Sequence, residues 1–331
     1  MANGPSEFRM GIAGCGRISQ AYVEAIKKCD GIRLGAVMDV REGAAHASAE
    51  AEGCRAFAEL GAFARGADID GAVICAPPST HREIACALMK EGIHVLCEKP
   101  FATTVEDAQA MIDAANKSGL TLMMASKFRY VEDIIRAKAI VASGMLGDVH
   151  FYGNSFCAKV DMRDRWNSDP AVAGGGVLID NGTHSVDIVR YLLGPIRRVF
   201  AYEGNRVADL PVEDTVTLSF VTDGGVMGTI HLSWSIQMDR ASYVDICGTE
   251  GCVEVGWKQS RYQNSGQPQW VSFGVGYSKI GAFENQVRNF VGTIRGTEEP
   301  VITMDSGMAS VLVIEAAYRS LEQGGWVDLE G

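Results

Sequence analysis

The stretch Gly14-Cys15-Gly16-Arg17-Ile18-Ser19 sits between an apolar run and a helical pattern. Gly14 permits a tight turn there, and Gly16 lets the backbone come close to a pyrophosphate. Small Ser19 stands where a third glycine is usual and allows close helix–strand packing. The helix that follows, with Arg17 and Ile18 in its first turn, points its positive end at the phosphates. Asp39 closes the next apolar run, 25 residues after Gly14. A carboxylate at that spacing accepts the adenosine ribose hydroxyls and repels a 2′-phosphate. The pattern reads as a dinucleotide site that prefers NAD, and Arg41 two residues on leaves NADP open. The plainer readings are a glycine-rich turn and a solvated strand-end carboxylate; the spacing of the two favours the cofactor.

Taking a hydride from an alcohol carbon needs one group to accept the hydroxyl proton and another to polarise the oxygen. Two segments supply such groups. Cys97-Glu98-Lys99-Pro100 ends the apolar run His94–Cys97, so Lys99 stands at a carboxyl strand edge, where open α/β sheets bind ligands. Pro100 restrains the corner, and Lys99–Pro100 is a candidate cis bond. A lone loop lysine is ordinarily a surface charge. In the second segment, Gly174–Asp187, a glycine triplet precedes a helical pattern. Asp180 and His184 are four residues apart, project from one helix face and can engage one ligand oxygen. Asp187, a turn further, either orients the histidine or serves packing. A lone helical histidine is more often structural than catalytic.

The elements that must position these groups follow from periodicity. Apolar runs at Phe8–Ala13, Leu34–Met38, Ala72–Ile74, His94–Cys97 and Leu120–Ala125 alternate with helical patterns at Ile18–Lys28, Thr80–Lys90 and Val105–Lys117. Strand and helix in alternation predict a doubly wound parallel sheet with helices on both faces. The pattern changes near Ser126, which predicts domains over 1–125 and 126–331. Beyond it come helical Asp133–Ser143 and strand candidates Val149–Phe156, Ile196–Tyr202, Thr215–Val221, Val226–Trp234, Tyr243–Cys247 and Cys252–Val255. Asp223-Gly224-Gly225 and Gly248–Gly251 read as hairpin connections. Helix candidates Gly176–Leu193, Ala282–Arg295 and Asp305–Gln323 complete the second half.

Composition bounds the function classes. The 331 residues are 47% hydrophobic and 21% charged, which suits a globular core. Acids outnumber bases 41 to 30, a net charge of −11, which argues against nucleic acid as a partner. No apolar run approaches a membrane span, and the polar start lacks a secretory signal. Nine cysteines without a CxxC pair fit reduced thiols in a cytoplasm. Cys247 and Cys252 flank a short turn, but no second pair or histidine cluster supports zinc, so they read as ordinary strand cysteines and no metal is expected.

In order and spacing, Gly11–Ser19, Cys75–His81, His94–Phe101 and Gly174–Asp187 resemble the glucose–fructose oxidoreductase / inositol dehydrogenase / MocA family, over essentially the whole chain. The EKP tripeptide with the D-x-G-x-H helix carries the resemblance more specifically than the glycine loop does. It implies an N-terminal Rossmann domain and a C-terminal α/β domain with a large, mostly antiparallel open sheet. It also implies catalytic Lys99, Asp180 and His184. In that assignment His184 is the general base, Lys99 polarises the reacting oxygen, and Asp180 orients substrate or assists proton transfer. The substrate class implied is a sugar, cyclitol or nucleotide-linked sugar with a reacting secondary hydroxyl or ketone. A redox-neutral glycosidase that uses NAD transiently, and a dinucleotide sensor without chemistry, stay open.

The resemblance also places Pro77 and His81 of the Pro-x-x-x-His pattern, with Glu98, beside the cofactor; a helix-start packing role for His81 is equally open. Arg129-Tyr130, with Lys127 nearby, either contacts substrate or bridges domains. Trp166, near Arg163 and Arg165, offers an aromatic face suited to a sugar, or belongs to an exposed loop. An apolar face on the second domain's sheet predicts a homo-oligomer, a dimer or tetramer.

Overall fold

Short, mostly apolar runs form the strands of a parallel sheet, which helices cover on both faces. The computed structural model, which describes residues 7–329, has six of them in its first unit, Met1–Lys127 with Lys279–Met308. In chain order this unit runs β1 (Phe8–Ala13), α1 (Arg17–Lys27), β2 (Ile32–Met38), α2 (Glu42–Glu52), β3 (Arg55–Phe57), α3 (Leu60–Gly66), β4 (Gly71–Ile74), α4 (His81–Lys90), β5 (His94–Glu98), α5 (Val105–Ser118) and β6 (Leu122–Ala125). The sheet order is β3-β2-β1-β4-β5-β6, all parallel. This is the doubly wound order, which opens a crevice at the carboxyl ends of β1 and β4 where the strand sequence reverses.

The second unit is Phe128–Ser278 with Ala309–Gly331. It contains α6 (Glu132–Ala142), β7 (Val149–Cys157), α7 (Pro170–Ala173), α8 (Val177–Leu193), β8 (Ile196–Glu203), β9 (Thr215–Thr222), β10 (Met227–Ser233), β11 (Ser242–Gly248), β12 (Gly251–Gly256), β13 (Ser260–Asn264) and β14 (Gln267–Gly274). The chain then gives α9 (Lys279–Ile294) to the first unit, runs through α10 (Met304–Gln323) and ends on β15 (Val327–Asp328). The nine strands pair in the order β14-β13-β12-β11-β7-β10-β9-β8-β15, antiparallel except for β7 with β10. β9 alternates half-buried and buried residues along its length, the mark of a sheet covered on one face. α8 lies on that covered face, over β7, β9 and β10.

Several elements carry no periodic signal. α2, EGAAHASAEAE, buries only Ala45 and Ala49, so its sequence shows no apolar stripe. β13 and β14 lie at a sheet edge and keep few buried side chains, so neither alternates. α9 packs with α1: Phe283, Val287 and Phe290 join Tyr22 and Ile26 in one core. Periodicity finds such a helix but not the partner it packs on.

One expectation is corrected. Cys247 and Cys252 are joined by a disulfide rather than standing as unpaired strand cysteines. The β11–β12 register places them directly opposite each other, with Cα atoms 4.2 Å apart, within disulfide reach once both side chains share a face. The other seven cysteines are free. Among the described residues, no helix is long and apolar enough to cross a membrane, and no group of three or more His, Cys, Asp or Glu residues is placed to hold a metal ion.

Candidate active site

The carboxyl edge of the parallel sheet collects the first unit's expected residues. After β1 the backbone turns at Gly14 with φ of 103°, and its N–H donates to Met38 O at 2.6 Å. A Cβ at Gly14 would collide with the Cys75 backbone beyond β4, so a glycine is required by conformation and by space. Gly16 caps α1 with extended backbone, and a Cβ there would meet no protein atom within 4 Å. Ser19 is buried and donates to Gly16 O at 2.6 Å, which tightens the first turn of α1. Arg17 is exposed and Ile18 half-buried at the same helix start.

Asp39, at the end of β2, is only 6% exposed, not a solvated strand-end group. It accepts the Cys15 N–H at 2.9 Å, the Arg41 N–H at 2.9 Å, and Arg41 Nε and Nη2 at 3.0 and 3.1 Å. Burial by itself would raise its pKa; the Arg41 and Cys15 hydrogen bonds outweigh that and hold it below the usual carboxylate range. The acid is thus tied to the glycine loop it would serve, and Arg41 is committed to the acid.

β4 ends at Ile74, and Cys75, Ala76 and half-buried Pro77 lead into a single turn, Pro78–Thr80, and then α4. His81 is fully buried; Nδ1 lies 3.0 Å from Pro100 O and Nε2 3.0 Å from Ala76 O. Burial pushes its pKa down despite these carbonyls. The imidazole therefore braces the β4 turn against the Lys99–Pro100 corner, where the peptide bond is cis. Glu98, at the end of β5, accepts the Tyr22 hydroxyl at 2.8 Å and the Lys99 N–H at 3.0 Å. Burial raises the Glu98 carboxyl above its usual range, against the pull of Lys99 and Tyr22. Lys99 is half-buried just beyond it. Tyr22 and Gln286, whose Oε1 lies 3.4 Å from the same hydroxyl, form a brace with no local sequence signal, because α1 and α9 lie over 250 residues apart.

In the second unit α8 carries Asp180, half-buried, and His184, buried, on one face. Gly182 between them lets α8 approach the sheet: a Cβ there would press on Leu232, Leu178 and Ile314. Ser185 donates to Asn154 of β7 at 2.6 Å. His184 meets Phe128 edge-on at 5.0 Å, and Phe128 also packs with Phe156, Tyr243 and Tyr277. This aromatic bed is absent from any local motif, since its members come from distant strands and loops. Arg129 is buried and clasps Asp187, Nε at 3.0 Å from both oxygens and Nη2 at 2.6 Å from Oδ1. Tyr130 is buried beside it. Trp166 is exposed in a single turn, Trp166–Ser168, with Arg163 paired to Asp161 and Arg165 against Met162.

The residues fit a dinucleotide. The open space at Gly16, the N-terminus of α1 and the carboxylate at the end of β2 are the parts such a ligand needs, at the switch point of the sheet. A doubly wound sheet with this loop, joined to a large open sheet bearing a D-x-G-x-H helix, defines a two-part NAD-binding oxidoreductase.

Comparison with known proteins narrows that class. The chain belongs to the GFO/IDH/MocA oxidoreductase family: a family profile described as an NAD-binding Rossmann fold matches residues 8–126, and the GFO/IDH/MocA C-terminal domain matches residues 134–254. It is 24% identical to D-apiose dehydrogenase of Paraburkholderia graminis, covering 98% of this chain and 90% of that one. It is 25% identical to myo-inositol 2-dehydrogenase of Thermotoga maritima, over 98% and 99%. Among solved structures it resembles aldose–aldose oxidoreductase of Caulobacter crescentus complexed with glycerol, with 25% identity, a TM-score of 0.87, and 98% and 100% of the two chains covered.

Proposed function

We propose that the protein transfers a hydride between the secondary hydroxyl or ketone of a sugar, cyclitol or nucleotide-linked sugar and the nicotinamide of NAD. The observation that carries this reading is the carboxyl edge of the parallel sheet, where Asp39, the glycine loop and Lys99 follow the ends of β2, β1 and β5. Bound NAD supplies the hydride acceptor or donor. The backbone at Gly14 and Gly16 and the start of α1 hold the pyrophosphate, and Asp39 receives the adenosine ribose. Pro77 and His81 shape the neighbouring turn, and Glu98 fixes the backbone of Lys99.

In alcohol oxidation His184 takes the hydroxyl proton and the Lys99 ammonium steadies the oxygen as charge develops on it. Asp180, on the same face of α8 as His184, orients the substrate hydroxyls. Arg129 serves the site through Asp187, by fixing α8, while exposed Trp166 offers a stacking face to a sugar ring. Polyol selectivity follows from such a site, because unpaired buried polar groups penalise an analogue that lacks a hydroxyl.

The outward face of the nine-stranded sheet supports a homo-oligomer. Phe151, Met227 and Tyr202 are exposed on that one face by register, an apolar patch suited to a second copy. Seven of the nine cysteines are free, as in a reducing, cytoplasmic setting, while the Cys247–Cys252 disulfide runs against that setting. The test is a panel of aldoses, cyclitols and nucleotide-linked sugars, each with NAD and with NADP, read by nicotinamide absorbance. Substrate-dependent reduction with NAD preferred supports the reading. Products formed without net absorbance change would replace it by a redox-neutral reaction, and binding of NAD with no turnover on any compound would replace it by a sensor.

A further inference from the structure

Two glycines of the triplet ahead of α8, Gly175 and Gly176, are explained by their neighbours. A Cβ on Gly175 would collide with the Tyr318 hydroxyl, and one on Gly176 with the Glu213 carbonyl oxygen. The backbone is this close because Glu213 gathers the start of the helix. Its Oε1 accepts the N–H of Gly176 at 2.9 Å and that of Leu178 at 3.0 Å, and its carbonyl accepts the N–H of Val177 at 2.9 Å. The first N–H groups of a helix have no partner within the helix, and here one residue satisfies three in succession. Tyr318 of α10 donates to the same Oε1 at 2.8 Å.

Glu213 is buried at 6% exposure, two residues before β9. One carboxylate therefore ties α8 to the strand it lies on and to α10, at the positive end of the helix where negative charge is favoured. Burial works against that charge, raising the Glu213 carboxyl above the usual range; the carboxylate is held there by three donors, the N–H groups of Gly176 and Leu178 and the Tyr318 hydroxyl. Asp180 lies two residues beyond Leu178, the last of the captured N–H groups, and its own N–H makes a bond within the helix to Gly176 O at 3.1 Å. The axial and rotational setting of Asp180 and His184 is thus fixed at Gly176–Leu178.

We propose that Glu213, supported by Tyr318, is a positioning residue for the reaction: it locks the N-terminus of α8 and thereby aims Asp180 and His184. This rests on the reading of those two as the site's acid–base pair. The test uses the full chain with Glu213→Ala, Glu213→Gln and Tyr318→Phe, read by kcat and KM, NAD affinity, melting temperature and amide exchange over Gly174–His184.

Glu213→Ala is expected to lower kcat about tenfold or more, as sub-ångström misplacement does, to leave NAD affinity within about twofold, and to speed exchange across Gly174–His184. Glu213→Gln keeps an oxygen acceptor for the N–H groups and is expected to restore kcat to within about threefold. Should Glu213→Ala fail to fold, Tyr318→Phe decides: it removes one hydrogen bond, and a fall in kcat with unchanged NAD affinity is expected. The proposal is overturned if the folded variants exchange faster at Gly174–His184 while kcat stays at the wild-type value. It is equally overturned if Glu213→Gln falls as far as Glu213→Ala together with NAD affinity and melting temperature, which marks a purely structural role. Wild type is assayed alongside, so a wild type without turnover condemns the functional reading, whereas active wild type with equally active Glu213→Ala condemns this inference alone.

Discussion

At the scale of single residues, Asp39 shows how a cofactor acid is prepared. Read along the sequence it is an acid at a ribose-binding distance from a glycine loop; in three dimensions it also holds the Cys15 N–H of that loop and the Nε–Nη2 edge of the Arg41 guanidinium. Its lowered pKa has a consequence for stability. A carboxyl whose folded-state pKa lies below its unfolded value contributes stability above the unfolded value, about 3.9 for Asp, and loses it as pH falls through the folded one. Arg41→Ala removes the partner that lowers it. The expected result is a lower melting temperature than wild type at pH 6 that converges with wild type as pH falls below about 4. Arg41 is largely exposed, so the gap is small and shrinks with added salt. A gap that widened toward low pH would contradict the assignment.

At the scale of elements, two glycines in one loop do different work. Gly14 is bound by φ and by the Cys75 backbone, whereas a Cβ on Gly16 meets nothing in the protein. Gly14→Ala is therefore expected to cost about 1–3 kcal/mol or more in a urea titration. Gly16→Ala is expected to stay within about 0.5 kcal/mol of wild type while weakening NAD binding about tenfold, some 1.4 kcal/mol, by titration. Equal loss of stability in both would mean that the loop is only a turn.

The parts of the site legible in the sequence are those that local spacing encodes. The glycine loop and Asp39 share one strand–helix–strand unit, Glu98 and Lys99 end one strand, and Asp180 and His184 share one helix face. The glycine triplet was legible as a motif, but its reason was not, since Glu213 and Tyr318 reach it from 37 and over 100 residues away. The same limit hid Tyr22 under Glu98, the aromatic bed around Phe128, and Arg129 as the partner of Asp187. Strands without alternation, β13 and β14, escaped because an edge needs no buried face.

At the scale of the whole molecule, net charge and binding site pull in opposite directions. A chain of charge −11 repels polyanions in general, yet the dinucleotide is itself anionic. Backbone amides and the end of α1 must therefore bind its phosphates locally. The nine-stranded sheet poses the second question at this scale, with Phe151 60% exposed and Met227 directly opposite it on β10. Light scattering at micromolar concentration is expected to give a dimer or tetramer, and Phe151→Asp to shift it toward monomer by burying an unpaired charge at the contact. A monomeric wild type would remove the oligomer from the account.

The central claim concerns chemistry, and the most direct measurement is the rate of NADH formation at saturating NAD and substrate. It is made for wild type, Lys99→Ala and His184→Ala on a compound the wild type turns over. The account predicts losses of about 10²–10⁴-fold in kcat for each variant, with NAD affinity of His184→Ala unchanged. Near-wild-type turnover in either folded variant would contradict it.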